Sequence, residues 1–493
     1  MKESSKRYDV FAQIGREAIL PGAPSLVEPE PPAEAQVPWL LPTIRQVPAL
    51  ESPTLDQDLA FFQQGLDELR NQYRPFLADY APPSAMTRPK QAIEQWSFRY
   101  QQEDDGGHFA KVLEGQGEWE RVTLPDFRGP TGGDGRWTGY YRSQFVFHRD
   151  PDRRVHLIFD GVDYRCRVYL NQRCLGSHEG FFGAFSFDVT DWILEHNTLL
   201  VEIENDFPMM GVDGTRLDGD KIYAATGPGW NDPEVGWHHC PPGAGIYQSV
   251  WIEERAEVYV DEMLLRPNLD ESALEALVEV AFSGDQVIDG VSLALTVFAM
   301  NFVAGVNPST QVEFPYLGPG RNDIRVDIPM PDARRWEPNT PYLYGVRVHV
   351  KLAGRIIDEK TEHFGMRKFH MDETALPKGT LYLNNQPIIL RGANEMGHLQ
   401  QCLMQGNIDQ LVDDILIAKY AHLNFICTTQ RPLQREIYDY FDRLGMLNQC
   451  DLPLFGVVRR PQVSEVLRQT VEMERLVRNH PSTIMISFIN ILQ

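Results

Sequence analysis

The chain has 493 residues, enough for about three domains, and its 42% hydrophobic and 23% charged residues exclude a collagen-like or disordered polypeptide. Lys plus Arg number 46 against 69 Asp plus Glu, and the resulting net charge of −23 repels phosphate backbones and anionic lipid surfaces, so neither nucleic acid nor membrane is an expected partner. No stretch approaches the roughly 18 consecutive apolar residues of a spanning helix, and no apolar segment follows Met1-Lys2-Glu3-Ser4-Ser5-Lys6. Six cysteines without a Cys-x-x-Cys pair argue against a disulfide framework and against a cysteine-based zinc site. A reducing, cytoplasmic location without metal or cofactor is the expectation.

Prolines are dense between Pro21 and Pro53, where missing donors and fixed φ predict an extended arm. Leu59, Phe62, Leu66 and Leu69 then recur at helical spacing, predicting a helix over 56–73. A second proline-rich stretch, 81–89, closes an N-terminal extension of residues 1–95. From 96 to 254 the period changes to two: Tyr141, Phe145 and Phe147 share a face, as do Cys166, Val168 and Leu170, then Phe185, Phe187 and Val189, then Leu199, Val201 and Ile203. A turn is expected at Asn171-Gln172. Short strands with Gly, Asn and Asp turns predict a β-sandwich. A second, smaller sandwich is expected over 255–370, from the alternation in Leu293-Leu295-Val297, Ile324-Val326-Ile328 and Val346-Val348-Val350. After Met371 apolar runs (387–390, 423–427, 446–450, 484–489) alternate with helical stretches (408–420, 433–444, 463–478), the signature of a parallel sheet buried on both faces. Four strands and three helices amount to half of a (β/α)₈ barrel of about 250 residues. Residues 371–493 therefore read as an incomplete barrel whose open edge exposes Met485, Ile486 and Phe488.

Local motifs follow the same order. They are Phe159-Asp160-Gly161-Val162-Asp163-Tyr164, Val168-Tyr169-Leu170-Asn171, Gly176-Ser177-His178-Glu179-Gly180, Gly245-Ile246-Tyr247, and Trp336-Glu337-Pro338-Asn339-Thr340-Pro341-Tyr342-Leu343-Tyr344. Phe364-Gly365-Met366-Arg367-Lys368, Leu383-Asn384-Asn385-Gln386-Pro387 and Arg391-Gly392-Ala393-Asn394 continue the series. In this order and spacing residues 96–493 resemble glycoside hydrolase family two, the family of β-galactosidases, β-glucuronidases and β-mannosidases. The resemblance implies a multidomain β plus α/β chain: a jelly-roll sugar-binding sandwich, an immunoglobulin-like sandwich and the first half of a TIM (β/α)₈ barrel.

What the resemblance implies for chemistry is retaining hydrolysis of O-glycosyl bonds in non-reducing β-linked sugars by two carboxylates about 5–5.5 Å apart. The acid/base is the Glu of an Asn-Glu pair ending the fourth barrel strand, and the nucleophile lies on a later strand. Residues 478–490, Arg478 to Asn490, resemble that fourth strand and its lead-in. The pair would be Asn490 plus Glu, whereas the chain reads Ile491-Leu492-Gln493, and isoleucine cannot donate a proton. No catalytic residue is assigned, and the 493-residue chain is expected to be inactive by itself. Further departures from the family pattern are Cys427 for Arg, Gln430 for His, Glu395-Met396 for Arg-His, and His239 for Asp.

Six residues are the substrate-binding candidates. Asn394 and Glu395 end the first barrel strand, on the face where such barrels carry chemistry, although a turn residue and a solvated acid are the structural alternatives. Gln430 can hydrogen-bond a sugar without titrating, and Asn490 ends the fourth strand. Trp230 and His239 bound a loop, 230–239, whose aromatic rings can stack on sugars over the barrel mouth. Zinc at His238, His239 and Cys240 is not expected, because three adjacent residues cannot easily face one ion. The alternative to a glycosidase is a non-catalytic carbohydrate-binding or structural protein with a decayed barrel. A carbohydrate is the expected partner in either case, and a homo-oligomer is left open.

Overall fold

The computed structural model describes residues 55–102, 105, 109–128, 137–205, 209–210, 217–218, 245–304, 308–314, 316–374, 378–395, 397–429, 431–454 and 462–488. The first element among the described residues is the helix Leu55–Leu77, with Asp56 and Asp58 in its first turn and Arg74 in its last, charges that complement the helix dipole. Its apolar stripe, Phe62, Leu66, Leu69, Tyr73 and Phe76, packs into the same core as the helices Ile408–Tyr420 and Arg435–Leu444. Arg70 fixes the docking with two hydrogen bonds to Asp413, 2.8 and 2.5 Å long. A cavity of about 790 Å³ lies along this seam, on the helical side of the third unit and lined in part by Arg74, Asp409 and Arg443.

The first sandwich has a four-stranded sheet (Lys90–Ala92, Val250–Arg255, Arg154–Phe159, Phe185–Asp188) and a six-stranded sheet (Glu120–Val122, Trp96–Tyr100, Trp137–Val146, His196–Asn205, Arg165–Leu170, Arg173–Glu179). Alternation explains its core: Tyr141, Phe147, Cys166, Val168, Leu170, Leu199, Val201 and Ile203 all point between the sheets, with Phe145, Phe185 and Phe187 packed against them. Asn171 and Gln172 both take positive φ, 51° and 69°, at the hairpin turn expected there. The three-residue strand Lys90–Ala92 lies upstream of the alternating pattern and is too short to produce one. The outer face of the larger sheet is covered by the helix Phe109–Leu113, where Val112 meets Tyr140, Tyr169 and Leu200.

The second sandwich packs three strands (Val258–Asn268, Ala273–Phe282, Gly320–Pro329) on four (Ser309–Phe314, Val291–Ala299, Tyr344–Leu352, Arg355–Phe364). All three alternating runs read from the sequence line its core. Arg88 ties the two sandwiches together: it makes two 2.8 Å hydrogen bonds to Asp358 and lies 3.3 Å from Glu253.

The third unit begins with an antiparallel hairpin sheet, Phe369–Asp372, Thr380–Leu383 and Gln386–Ile388. The run 387–390 was expected to be the first parallel strand, and this is corrected: Asn384 and Asn385, with φ of 52° and 65°, turn the chain back onto Thr380–Leu383. The parallel sheet starts later, as Gly392–Glu395, Phe425–Thr428, Leu447–Asp451 and Thr483–Ser487 in sequential order. The helix Ile408–Tyr420 has the expected bounds, while His398–Met404, only seven residues, was not foreseen. Helices Arg435–Leu444 and Val463–Val477 complete the unit, and Ile426, Cys450, Ile437, Phe441 and Met473 fill the layer between helices and sheet. Among the described residues Thr483–Ser487 pairs on one side only; Ile486 and Phe488 are exposed, Met485 half-buried.

The units are locked by residues that the sequence motifs contain. Arg367 donates to the carbonyls of Pro481 (2.9 Å) and Thr483 (2.7 Å). Gly365 is required by close approach, since a Cβ there would stand 2.7 Å from both the Pro481 and Trp336 side chains. Asn479 bonds the backbone of Met263 and Leu265, and Trp336 donates to the Asp442 carbonyl. Asp442, fully buried, accepts from His363 Nε2 at 2.7 Å, His480 Nδ1 at 2.6 Å and the Ser482 N–H at 2.9 Å. These partners hold its carboxyl well below the usual range despite burial, and Asp442 in turn raises the His363 imidazole.

Candidate functional site

Parallel strands aligned in sequence order bring their C-terminal ends to one edge of the sheet, and there the side chains turn polar. Register places Asn394 beside Cys427, and Cys427 beside Gln449. Gln449 Nε2 donates to Asp451 Oδ1 at 2.8 Å, and the Cys427 thiol lies 3.8 Å from Asp451 Oδ2. Thr429 Oγ1 is 3.7 Å from the same sulfur, and its N–H donates to the Glu395 carbonyl. Burial, reinforced by the Asp451 charge, pushes the Cys427 thiol up to about 11, so at neutral pH it is a hydrogen-bonding thiol rather than a thiolate. The result is a strip of donors and acceptors, Asn394, Cys427, Gln449 and Asp451, with a buried carboxylate in the fourth place.

Glu395 faces a different way. Its Oε1 accepts from the N–H groups of Gly397 (2.6 Å) and Leu399 (3.0 Å), satisfying the start of the helix His398–Met404. Oε2 is buried and has no partner among the described residues. Burial raises the carboxyl above its ordinary range, and the buried Arg431 guanidinium pulls it back. Arg431 also acts on Tyr247 of the first sandwich, so its charge sits where that sandwich meets the end of the second parallel strand.

The sandwich reaches the third unit through residues 178–183. His178 Nε2 contacts Glu472 Oε1 at 2.8 Å, Arg468 donates to the Glu179 carbonyl, and Gln469 donates to the Tyr164 hydroxyl at 3.2 Å. A Cβ on Gly183 would fall 2.3 Å from the Glu472 carboxylate, which would have to shift to admit a larger residue.

Of the six expected binding residues, Asn394 is exposed on the polar strip and Glu395 is engaged, through one oxygen, as a helix acceptor. Gln430, Asn490, His239 and Trp230 lie outside the described residues, as does the whole loop 230–239. Sequence reasoning passed over Asp451, Gln449 and Arg431. Their signal was position: Asp451 directly follows the apolar run 446–450, and Arg431 follows the second strand, where barrel side chains reach the active face.

Each of the three units matches a known family. Residues 132–212 match the galactose-binding domain-like family of glycosyl hydrolase 2, 258–367 match glycosyl hydrolases family 2, and 374–491 match the TIM barrel domain of that family. A β-galactosidase of Thermoanaerobacter pseudethanolicus is 25% identical over 365 residues, covering 71% of this chain and 44% of the relative. A putative β-glucuronidase of Formosa agariphila is 23% identical over 395 residues, covering 76% and 43%. The chain thus spans less than half the length of these curated relatives. Among solved structures, a Bacteroides uniformis β-glucuronidase superposes with a TM-score of 0.63 at 20% identity, covering 81% of this chain and 46% of that one. A Ruminococcus gnavus β-glucuronidase in complex with D-glucaro 1,5-lactone gives 0.62 at 19%, covering 84% and 68%.

Proposed function

The chain belongs to glycosyl hydrolase family 2, and from that premise we propose that it carries the sugar-binding part of a retaining glycosidase for non-reducing β-linked sugars. In this reading 96–254 is the jelly-roll sugar-binding domain, 255–370 the immunoglobulin-like sandwich and 371–493 the first half of a catalytic (β/α)₈ barrel, preceded by the extension 1–95. The supporting observation is the polar strip at the C-terminal ends of consecutive parallel strands, where Asn394, Cys427 and Gln449 line up in register and Gln449 bonds Asp451. Barrel enzymes bind substrate on that face, and the carboxamides of Asn394 and Gln449 offer both donors and acceptors to sugar hydroxyls beside the Asp451 carboxylate.

As a 493-residue polypeptide it binds β-glycosides without cleaving them. The position after Asn490, where the family pattern calls for the acid/base, is Ile491, and a retaining reaction requires both carboxylates. The test is to mix the chain with nitrophenyl β-galactoside, β-glucuronide and β-mannoside and follow binding and nitrophenolate together. Saturable binding without nitrophenolate is expected. Turnover above a heat-killed control overturns the assignment of the missing acid/base, and absence of binding to all three overturns the sugar site.

A further inference from the structure

One turn past the first parallel strand, three side chains of metal-ligating type meet outside the polar strip. His398 and Cys402 stand at i and i+4 on the helix His398–Met404 and so share one face. Asp414, from the neighbouring helix Ile408–Tyr420, completes the group. His398 Nε2 is 2.7 Å from Asp414 Oδ2, and the Cys402 sulfur is 3.8 Å from that nitrogen and 3.9 Å from that oxygen. We propose that His398, Cys402 and Asp414 form a binding site for a zinc-class divalent ion with an open fourth position.

The spacing fits such an ion. Tetrahedral bonds of about 2.0–2.3 Å to nitrogen, oxygen and sulfur put the donors about 3.3–3.7 Å apart. The two distances to sulfur are already within a few tenths of an ångström of that range, and only the His398–Asp414 contact has to open, exchanging a hydrogen bond for two metal bonds. The donor set is selective in kind: one sulfur and one imidazole suit zinc or cobalt, whereas magnesium and calcium want oxygen alone. Support around the donors is also present. Gln410 Nε2 donates to the other Asp414 oxygen at 2.6 Å, the outer contact that aims a ligating carboxylate. The His398 side chain is 56% exposed, so an ion has a route in and a solvent molecule can occupy the fourth position. Ligation converts the Cys402 thiol to thiolate and releases one proton to solvent per ion bound.

The second His/Asp group, His363, Asp439, Asp442 and His480, differs in state. There Asp442 is saturated by two imidazoles and the Ser482 N–H in the buried seam between units. The site at Cys402 was hidden from the sequence because its third donor comes from another helix.

Co²⁺ titrated into the full 493-residue chain tests the proposal. A thiolate-to-cobalt charge-transfer band with tetrahedral d–d bands in the visible, saturating at one ion, is expected. Cys402→Ser abolishes the charge-transfer band, Asp414→Asn and His398→Ala each weaken affinity at least tenfold, and Gln410→Ala weakens it about tenfold or more. Cys174→Ser and Cys240→Ser leave the spectrum unchanged. Absence of the band in the parent chain, or its survival in Cys402→Ser, overturns the site. Should Cys402→Ser fail to fold, His398→Ala, a change at an exposed side chain, decides: affinity unchanged from the parent overturns the site.

Discussion

His156 sets an acid limit on the first sandwich that a single substitution removes. Its side chain is buried, its Nε2 has no partner among the described residues, and its ring meets the Tyr259 ring at a centroid distance of 5.5 Å. Burial, with a smaller contribution from the Arg255 charge, pushes the imidazole down to about 4 from 6.5. Between those values the unfolded chain holds a proton that the native chain does not, so stability falls as pH falls through that window. About 2.5 pH units at about 1.36 kcal/mol each gives a loss of roughly 3 kcal/mol. Glu253 and Glu362, both held down at about 2 in the folded chain, withdraw their contributions only below about pH 4.5, so neither accounts for a loss between pH 6.5 and 4.5. His156→Phe keeps a ring against Tyr259 and deletes the titration. Hydrogen exchange in Arg154–Phe159 and Val250–Arg255, measured from pH 7 to 4.5 and corrected for intrinsic rates, should show the parent losing protection while His156→Phe holds it. Equal losses in the two proteins would refute the reasoning.

Asp442→Asn removes the shared charge acceptor of His363 and His480 and should cost about 3–5 kcal/mol, as breaking a buried ion pair does; a drop under about 1 kcal/mol in the denaturation midpoint analysis contradicts the latch. Gly365→Ala forces a methyl to within 2.7 Å of the Pro481 and Trp336 side chains and should destabilise by about 1–3 kcal/mol, with Gly318→Ala, which meets nothing within 4 Å, as the neutral control.

The sandwich core was legible where one face of a strand is buried and the other wet, so that runs such as Leu293-Leu295-Val297 and Val346-Val348-Val350 announce themselves by period two, whereas Tyr140, Tyr169 and Leu200 break the alternation because a helix covers their face. A fully apolar run carries no such mark. Residues 387–390 looked like the first parallel strand, whereas after the Asn384-Asn385 turn Pro387 and Ile388 pair back in a hairpin and the run ends outside any strand. The same limit applies to the motifs. Arg367 and Asn479 were recognisable one by one, but their meaning as a clamp depends on contacts across more than 100 residues. Glu395 was correctly placed at a strand end, yet its duty to Gly397 and Leu399 followed from a seven-residue helix too short to show a periodicity. Arg431 stood in plain view beside Gln430 and gained significance only through the fold that sets its charge against Glu395 and Tyr247.

The central claim is a sugar site on the strip formed by Asn394, Gln449 and Asp451. Saturation-transfer NMR with methyl β-galactoside and methyl β-glucuronide, comparing the parent chain with Asp451→Asn and Gln449→Ala, tests it most directly. The account predicts transfer from the parent chain to at least one of the two sugars, with affinity at least tenfold weaker in both variants. Transfer to neither sugar, or equal affinity in all three proteins, would contradict it.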